Sequence, residues 1–463
     1  MITRLLICLL SLSVLMSACK SDATSVEATK ETGPTSLQWP DWIKNGNIYE
    51  VNIRQYTEEG TFDAFARHLP RLQQMGVKIL WFMPIFPISE TKRKGTLGSY
   101  YAVSDFRETN PEFGSRTSFN EMVAQAHELG MKVILDWVPN HTGWDHKWIT
   151  DHPDYYTKGA DGQITDPINP ETGESWGWSD VADLNYDNPA MRKQMLADLK
   201  YWISDYDIDG YRFDVSHGVP LDFWETVTPE LLDLKNDIFL LSESEIADHV
   251  NLGLFHAIYG WEFHHLMNAI AKGEKTASEI DTWRAKKDTL ISKGVYMNFT
   301  SNHDENSWAG TTDERMGAGA NTFAVLAATL DGIPLVYGGQ EEPLSKRLEF
   351  FEKDIIKFER LANHDLYSTL LKLKRDNKAL SAGTAVNVKF TKLADSDHVY
   401  AFSKEHEGDK VVVIVNLSDK AQEISLLHDI NGVSNSITGG PVNVPAGTKR
   451  SFEPWEYFLA SSK

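Results

Sequence analysis

Cysteine is almost absent from this chain. Its 463 residues include two, Cys8 and Cys19, both near the start. No disulfide within the folded body and no thiolate metal site can be built from them. Basic charge is also in short supply: 45 Lys and Arg stand against 66 Asp and Glu, a formal net charge of −21. Such a surface repels a phosphate backbone, which excludes general nucleic-acid binding. A neutral ligand meets no such penalty, although solubility alone accounts for the charge. No Gly-rich phosphate-binding segment follows the late strand-like runs, which leaves a barrel acting on phosphorylated sugars unsupported. No His pair or further carboxylate cluster suggests a transition metal.

Long apolar runs are missing as well. The longest, residues 5–15, is too short to cross a bilayer comfortably and follows the basic Arg4. Leu15-Met16-Ser17-Ala18-Cys19 then resembles a bacterial lipobox, in which cleavage leaves a lipidated Cys19. An ordinary secretory signal cut at small residues is the alternative. Residues 20–38 are polar, with Gly33-Pro34, and read as a flexible tether. These features predict a protein lipid-anchored to the outer membrane, on its periplasmic or cell-surface side.

What is plentiful is a globular body: 41% hydrophobic and 24% charged residues, with 14 Trp and 16 Tyr. Such aromatics fill cores, and they also stack on sugar rings. Short apolar runs alternate with amphipathic segments, as in parallel strands joined by helices. The runs fall at residues 48–54, 77–83, 132–139, 208–214, 238–243, 254–259, 295–302 and 333–337. Eight such units predict a closed (β/α)8 barrel over residues 39–377, with a doubly wound sheet as the alternative. A Trp-rich excursion at about 141–189 follows the third run and holds Trp144, Trp148, Trp176 and Trp178. Long insertions at that end of a barrel strand are usually functional. From 378 to 463 short strands such as 398–403 and 410–417 predict a C-terminal antiparallel β-sandwich.

Acidic residues at barrel strand ends are the candidates for chemistry, and four stand there: Asp136, Asp214, Glu243 and Asp304. Cleaving a glycoside with retention needs two carboxyls, one to attack the anomeric carbon and one to protonate the leaving oxygen. Arg212, two residues before Asp214, points to the same side of a strand and can hold its carboxylate ionised. Glu245, two residues after Glu243, shares its side if the strand continues. Asp214 and Asp304 could instead cap helices, and Asp136 with Arg212 could be a structural ion pair.

The local sequences carry a resemblance. Asp136-Trp137-Val138-Pro139-Asn140-His141, Asp183-Leu184-Asn185, Gly210-Tyr211-Arg212-Phe213-Asp214, Leu240-Leu241-Ser242-Glu243, Phe299-Thr300-Ser301-Asn302-His303-Asp304 and Gly332–Glu341 follow one another in the order of the α-amylase superfamily, glycoside hydrolase family 13. The resemblance implies catalysis by Asp214 as nucleophile, Glu243 as acid and base, and Asp304 as stabiliser of the distorted sugar. It implies substrate binding by Tyr101, His141, Arg212 and His303. For its acid role Glu243 needs a raised pKa, which burial beside carboxylates can supply. The family usually has Gly before this Glu, where this chain has Ser242. Asn140 matches a position that binds Ca2+ in many members; no other cofactor is implied. The expected ligand is an α-glucan, acted on at α-1,4 bonds by hydrolysis, with transglycosylation or α-1,6 action open. A non-catalytic glycan-binding lipoprotein with glycan-uptake partners is the distant alternative.

Overall fold

The structure, a computed structural model, describes residues 36–169, 172–383 and 386–463. The expected signal, Cys19 and most of the tether lie outside the described residues.

Eight parallel strands close into a barrel: β1 (Ile48–Val51), β2 (Ile79–Phe82), β3 (Lys132–Trp137), β4 (Gly210–Phe213), β5 (Phe239–Ser242), β6 (Ala257–Tyr259), β7 (Val295–Phe299) and β8 (Ile333–Tyr337). Each pairs with its neighbours in sequence, and β1 closes the ring against β8, with Ile48 opposite both Ile79 and Leu335. Nearly every strand residue is buried, because one face meets the barrel interior and the other meets the helices. The alternation is visible in the packing. Ile48, Ile79, Trp81, Ile134, Leu241, Tyr259, Phe299 and Leu335 form the interior cluster. Their chain neighbours Tyr49, Leu80, Val133, Leu240, Ile258 and Val336 join the cluster under the helices. This period of two fixes the site: Glu50, Asp136, Arg212, Asp214 and Glu243 all continue the inward set at the C-terminal end.

Most expected strands are trimmed rather than moved. The first ends at Val51, and Ile53–Tyr56 turns into a short helix instead of continuing to residue 54. The sixth keeps only three residues of the expected six. At Gly210 (φ 139°) an added Cβ would lie 1.9 Å from the Phe239 carbonyl oxygen, so the β4–β5 approach requires glycine there.

After β3 the insertion opens with a two-stranded ribbon in which His141 pairs with Asp183. Beyond the barrel lies a six-stranded antiparallel sheet built from Lys389–Lys392, Val399–His406, Asp409–Asn416, Tyr457–Ser461, Ile430–Asn435 and Pro441–Val444, in that spatial order. Tyr400, Phe402, Val411, Val413 and Val415 on one face join the barrel's helix-side core. Val399, Ala401, Val412 and Ile414 on the other pack with Ile424 and Phe452 of a two-stranded ribbon. The tail is thus the expected antiparallel two-layer unit.

Candidate active site

A cleft of about 670 Å3 opens at the C-terminal end of the strands. Tyr101, His141, Asp214, Glu243, His303 and Asp304 all line it, so the barrel brings together residues up to 203 positions apart in sequence. Arg212, expected among the substrate-binding residues, does not reach the cleft. It is fully buried below it and serves the carboxyls instead. Its Nη1 lies 2.8 Å from both Asp136 Oδ1 and Asp214 Oδ1, and its Nη2 lies 2.6 Å from Glu243 Oε1. Tyr259 accepts from its Nε at 3.1 Å.

Asp136 has no solvent exposure and accepts from Trp81 Nε1 (3.2 Å), the Tyr101 hydroxyl (3.1 Å) and Arg212. It is a support beneath the cleft rather than a reacting group. Burial pushes its pKa up to about 6, against the pull of Arg212 and His303. Asp214 offers its second oxygen, which takes no hydrogen bond among the described residues, to the cleft. Burial and the nearby Glu243 push this carboxyl well above the usual Asp range, with Arg212 opposing them.

Glu243 Oε2 accepts from the Val215 N–H at 2.6 Å, while its Oε1 meets Arg212 Nη2 as an ion pair. Val215 sits in left-handed backbone (φ 44°, ψ 38°), a costly conformation for a β-branched residue, which aims its N–H at Glu243. Ser242, in place of the family's usual glycine, ties the strand end down. Its hydroxyl lies 2.7 Å from Ser216 Oγ, 2.8 Å from Ser244 Oγ and 2.8 Å from His249 Nδ1. Glu245 also faces the cleft, but its Oε1 accepts from the Glu262 N–H at 2.9 Å, away from Arg212.

His303 links the two halves of the site. Its Nδ1 lies 2.5 Å from Glu50 Oε1, and its Nε2 lies 2.8 Å from the Tyr101 hydroxyl and 3.3 Å from Asp304 Oδ2. Burial alone would lower this imidazole, but Asp304 and Glu50 raise it to about 9. His141 has no such partner, and burial lowers it to about 3, so it is a neutral hydrogen-bonding group. Five carboxyls (Glu50, Asp136, Asp214, Glu243 and Asp304) therefore share one guanidinium and one imidazolium. This excess of acid favours retained protons on Glu50, Asp136, Asp214 and Asp304, whose carboxyls are all raised by burial.

Aromatic walls flank the carboxyls. Trp178 lines the cleft and stacks on the exposed Trp176 at 5.6 Å, while Trp148 is core of the insertion. Trp144 faces a separate pocket. Trp261 and a group of Trp308, Phe350 and Phe351 also line the cleft, with Phe350 parallel to Tyr101. Sequence reasoning missed these, and Glu50 and Tyr259, because no motif marks them. The one signal was Glu50, a lone carboxyl at an inward position of an apolar strand. At Asn140, no three His, Cys, Asp or Glu among the described residues gather as ligands. The expected Ca2+ therefore lacks the carboxylate-rich cage that a hard cation favours.

An alpha-amylase catalytic-domain family model matches residues 38–387. An alpha-amylase of Haloarcula japonica is 25% identical over 405 residues, which cover 84% of this chain and 57% of that one. An alpha-1,4-glucan:maltose-1-phosphate maltosyltransferase of Salinibacter ruber is 25% identical over 84% of this chain and 63% of its own. The chain thus spans about three fifths of the length of these curated relatives. The crystal structure of a noncanonic maltogenic alpha-amylase from Thermotoga neapolitana superposes with a TM-score of 0.80 at 26% identity, over 91% of this chain and 99% of that one. Barrel, cleft and family match agree, and the chain belongs to the alpha-amylase family of glycosidases.

Proposed function

We propose that this protein cleaves α-1,4-glucosidic bonds of starch-like glucans or maltooligosaccharides with retention of configuration. The observation that carries this reading is the meeting of Asp214 and Glu243 on one buried guanidinium at the wall of an aromatic cleft. Asp214 attacks the anomeric carbon while Glu243 gives its proton to the departing glycosidic oxygen, leaving a glycosyl ester on Asp214. Glu243, now a carboxylate, takes a proton from water as that water attacks the anomeric carbon and breaks its bond to Asp214. Free Asp214 and a protonated Glu243 result, and the sugar leaves as the α-anomer. Asp304, His303, Tyr101 and His141 hold the reacting sugar's hydroxyls. Arg212 is a positioning residue that fixes both carboxyls. No step requires Ca2+ at Asn140.

The test is maltoheptaose turnover followed by NMR, with the parent beside Asp214→Asn. Prompt release of α-anomeric short products by the parent alone is expected. Activity on isomaltose, panose or pullulan instead would move the linkage to α-1,6. Inertness towards all of them would replace hydrolysis by glycan binding. Transglycosylation is the second reading: Trp261 and Trp308 offer stacking surface on which an acceptor sugar could replace water. Products longer than the substrate would establish it.

Anchoring belongs to the same proposal. Cys19 carries lipid and holds the enzyme to the outer membrane, supported by the Leu15–Cys19 pattern and the polar residues after it. Intact-mass analysis of the membrane fraction, beside Cys19→Ser, tests it, and an unlipidated Cys19 overturns it.

A further inference from the structure

The insertion holds a second cavity, of about 230 Å3, that the catalytic reading leaves unused. Trp144 forms one side of it. The ring is fixed edge-on, because its N–H donates to the Ser179 carbonyl at 3.0 Å. The Lys92 ammonium lies over its face, 3.3 Å from the ring centroid. Lys92 is exposed and makes no ion pair among the described residues. The other side is the tip of a small hairpin, closed by the Gly159 N–H on the Gln163 carbonyl (2.9 Å) and by Thr165 on Thr157 (3.1 Å). Asp161, Gln163 and Thr165 of this tip line the cavity. The Gln163 side chain has no hydrogen-bond partner among the described residues.

The cavity and the catalytic cleft share a wall. Lys92 and Ser179 face the cavity, whereas Lys94, Trp178 and Asp180 face the cleft. Lys94 and Asp180 pin the wall with an ion pair of 2.8 Å, in which Asp180 is buried. Asp145 secures the same loop, accepting the N–H groups of Glu90 (2.6 Å) and Thr91 (2.8 Å). Each side of a rigid partition thus carries a tryptophan and polar side chains.

We propose that the Trp144 pocket is a second, non-catalytic site for one neutral sugar ring of an α-glucan whose remainder lies in the cleft beyond the Lys94–Asp180 wall. This rests on the glucan reading above. A pyranose presents a flat C–H face that suits a fixed indole, and its hydroxyls match the free amide of Gln163 and the carboxylate of Asp161. Acidic Asp161 and Asp166 at the rim disfavour an anionic ligand. The volume is below the roughly 300–1,000 Å3 of a whole small-molecule site, which fits a single ring. Lys92 acts as a lid. An exposed cation over an aromatic face is held weakly, so a sugar can displace it.

The experiment measures binding of maltoheptaose and maltotriose to the full chain carrying Asp214→Asn, by calorimetry. In that background Trp144→Ala is expected to weaken maltoheptaose roughly three- to tenfold and leave maltotriose unchanged. Lys92→Ala is expected to tighten maltoheptaose, an effect that a merely structural Trp144 does not produce and that needs no change to the indole. In the active protein Trp144→Ala should raise KM for maltoheptaose with kcat intact. Maltoheptaose binding that ignores both substitutions, or equal losses for both ligands with Lys92→Ala silent, would overturn the second site alone. No glucan binding at all, with an inert parent, would overturn the glucan reading and this site with it.

Discussion

The two ends of the barrel use the same residue types with opposite charge balance. At the N-terminal end Asp209, just before β4, meets Lys132 Nζ (2.8 Å), Lys235 Nζ (3.0 Å) and His127 Nε2 (2.6 Å). Burial would raise its carboxyl, but these partners hold it well below the usual range. Asp331, just before β8, is likewise held low by Lys404, Lys287 and Arg284. At the C-terminal end five carboxyls share Arg212 and His303, and burial raises Asp136, Asp214 and Asp304. One end has cations to spare and locks strands to helices. The other is short of them and keeps protons available. Position along the strand therefore separates stability from chemistry within a single fold.

This contrast can be broken from either end. The largest effect expected is at Asp214→Asn, which should lower turnover of maltoheptaose at least about 10³-fold. Its thermal midpoint should hold or rise, because a carboxyl leaves a crowded site. Calorimetry beside the kinetic assay reads both, and a large fall in midpoint would contradict the comparison. Asp209→Asn should do the reverse, costing about 3 kcal/mol in urea unfolding, as breaking a buried pair does, with kcat intact.

Acidification should separate the ends within one molecule. The depressed carboxyl of Asp209 contributes stability that is present above its ordinary pKa of 3.8 and is lost as pH falls below it. The raised carboxyl of Asp214 must be ionised to attack, so the acid limb of kcat/KM should lie above pH 3.8. Activity should therefore vanish on acidification while circular dichroism still reports a folded protein; simultaneous loss would refute this. The smallest effect is alkaline. His303, raised from 6.5 to about 9, contributes stability that is full below pH 6.5 and lost as pH rises through 9. His303→Gln should lack this shallow decline in a pH series of unfolding midpoints.

Much of the site was legible because its parts are local. Asp136, Asn140 and His141 lie within six residues, Arg212 and Asp214 within three, and His303 and Asp304 are adjacent, so strand period and motif spacing place them together. The eighth strand was read to the residue, and the eight-unit alternation gave the barrel. Glu50, Trp81 and Tyr259 stayed hidden because each lies alone on its strand and matters only through Arg212, His303 or Asp136. The tryptophans of the insertion could not be sorted either. Trp178 went to the cleft with the exposed Trp176 stacked on it, Trp148 to the core and Trp144 to the second cavity, a division set by how loops fold over one another.

The sequence by itself determined the family motifs, the eight strand-like runs and the shared side of Arg212 and Asp214, because a strand's period of two is a local property. Only the tertiary structure decided that Arg212 serves three carboxyls from below the cleft, and that Glu243 lies between Arg212 and the Val215 N–H. It also decided that a Lys94–Asp180 wall divides two cavities. Those outcomes depend on distances of about 3 Å between side chains from different strands and loops. Such distances are set by the register and closure of the whole barrel and by its loop packing, none of which any short stretch of chain contains.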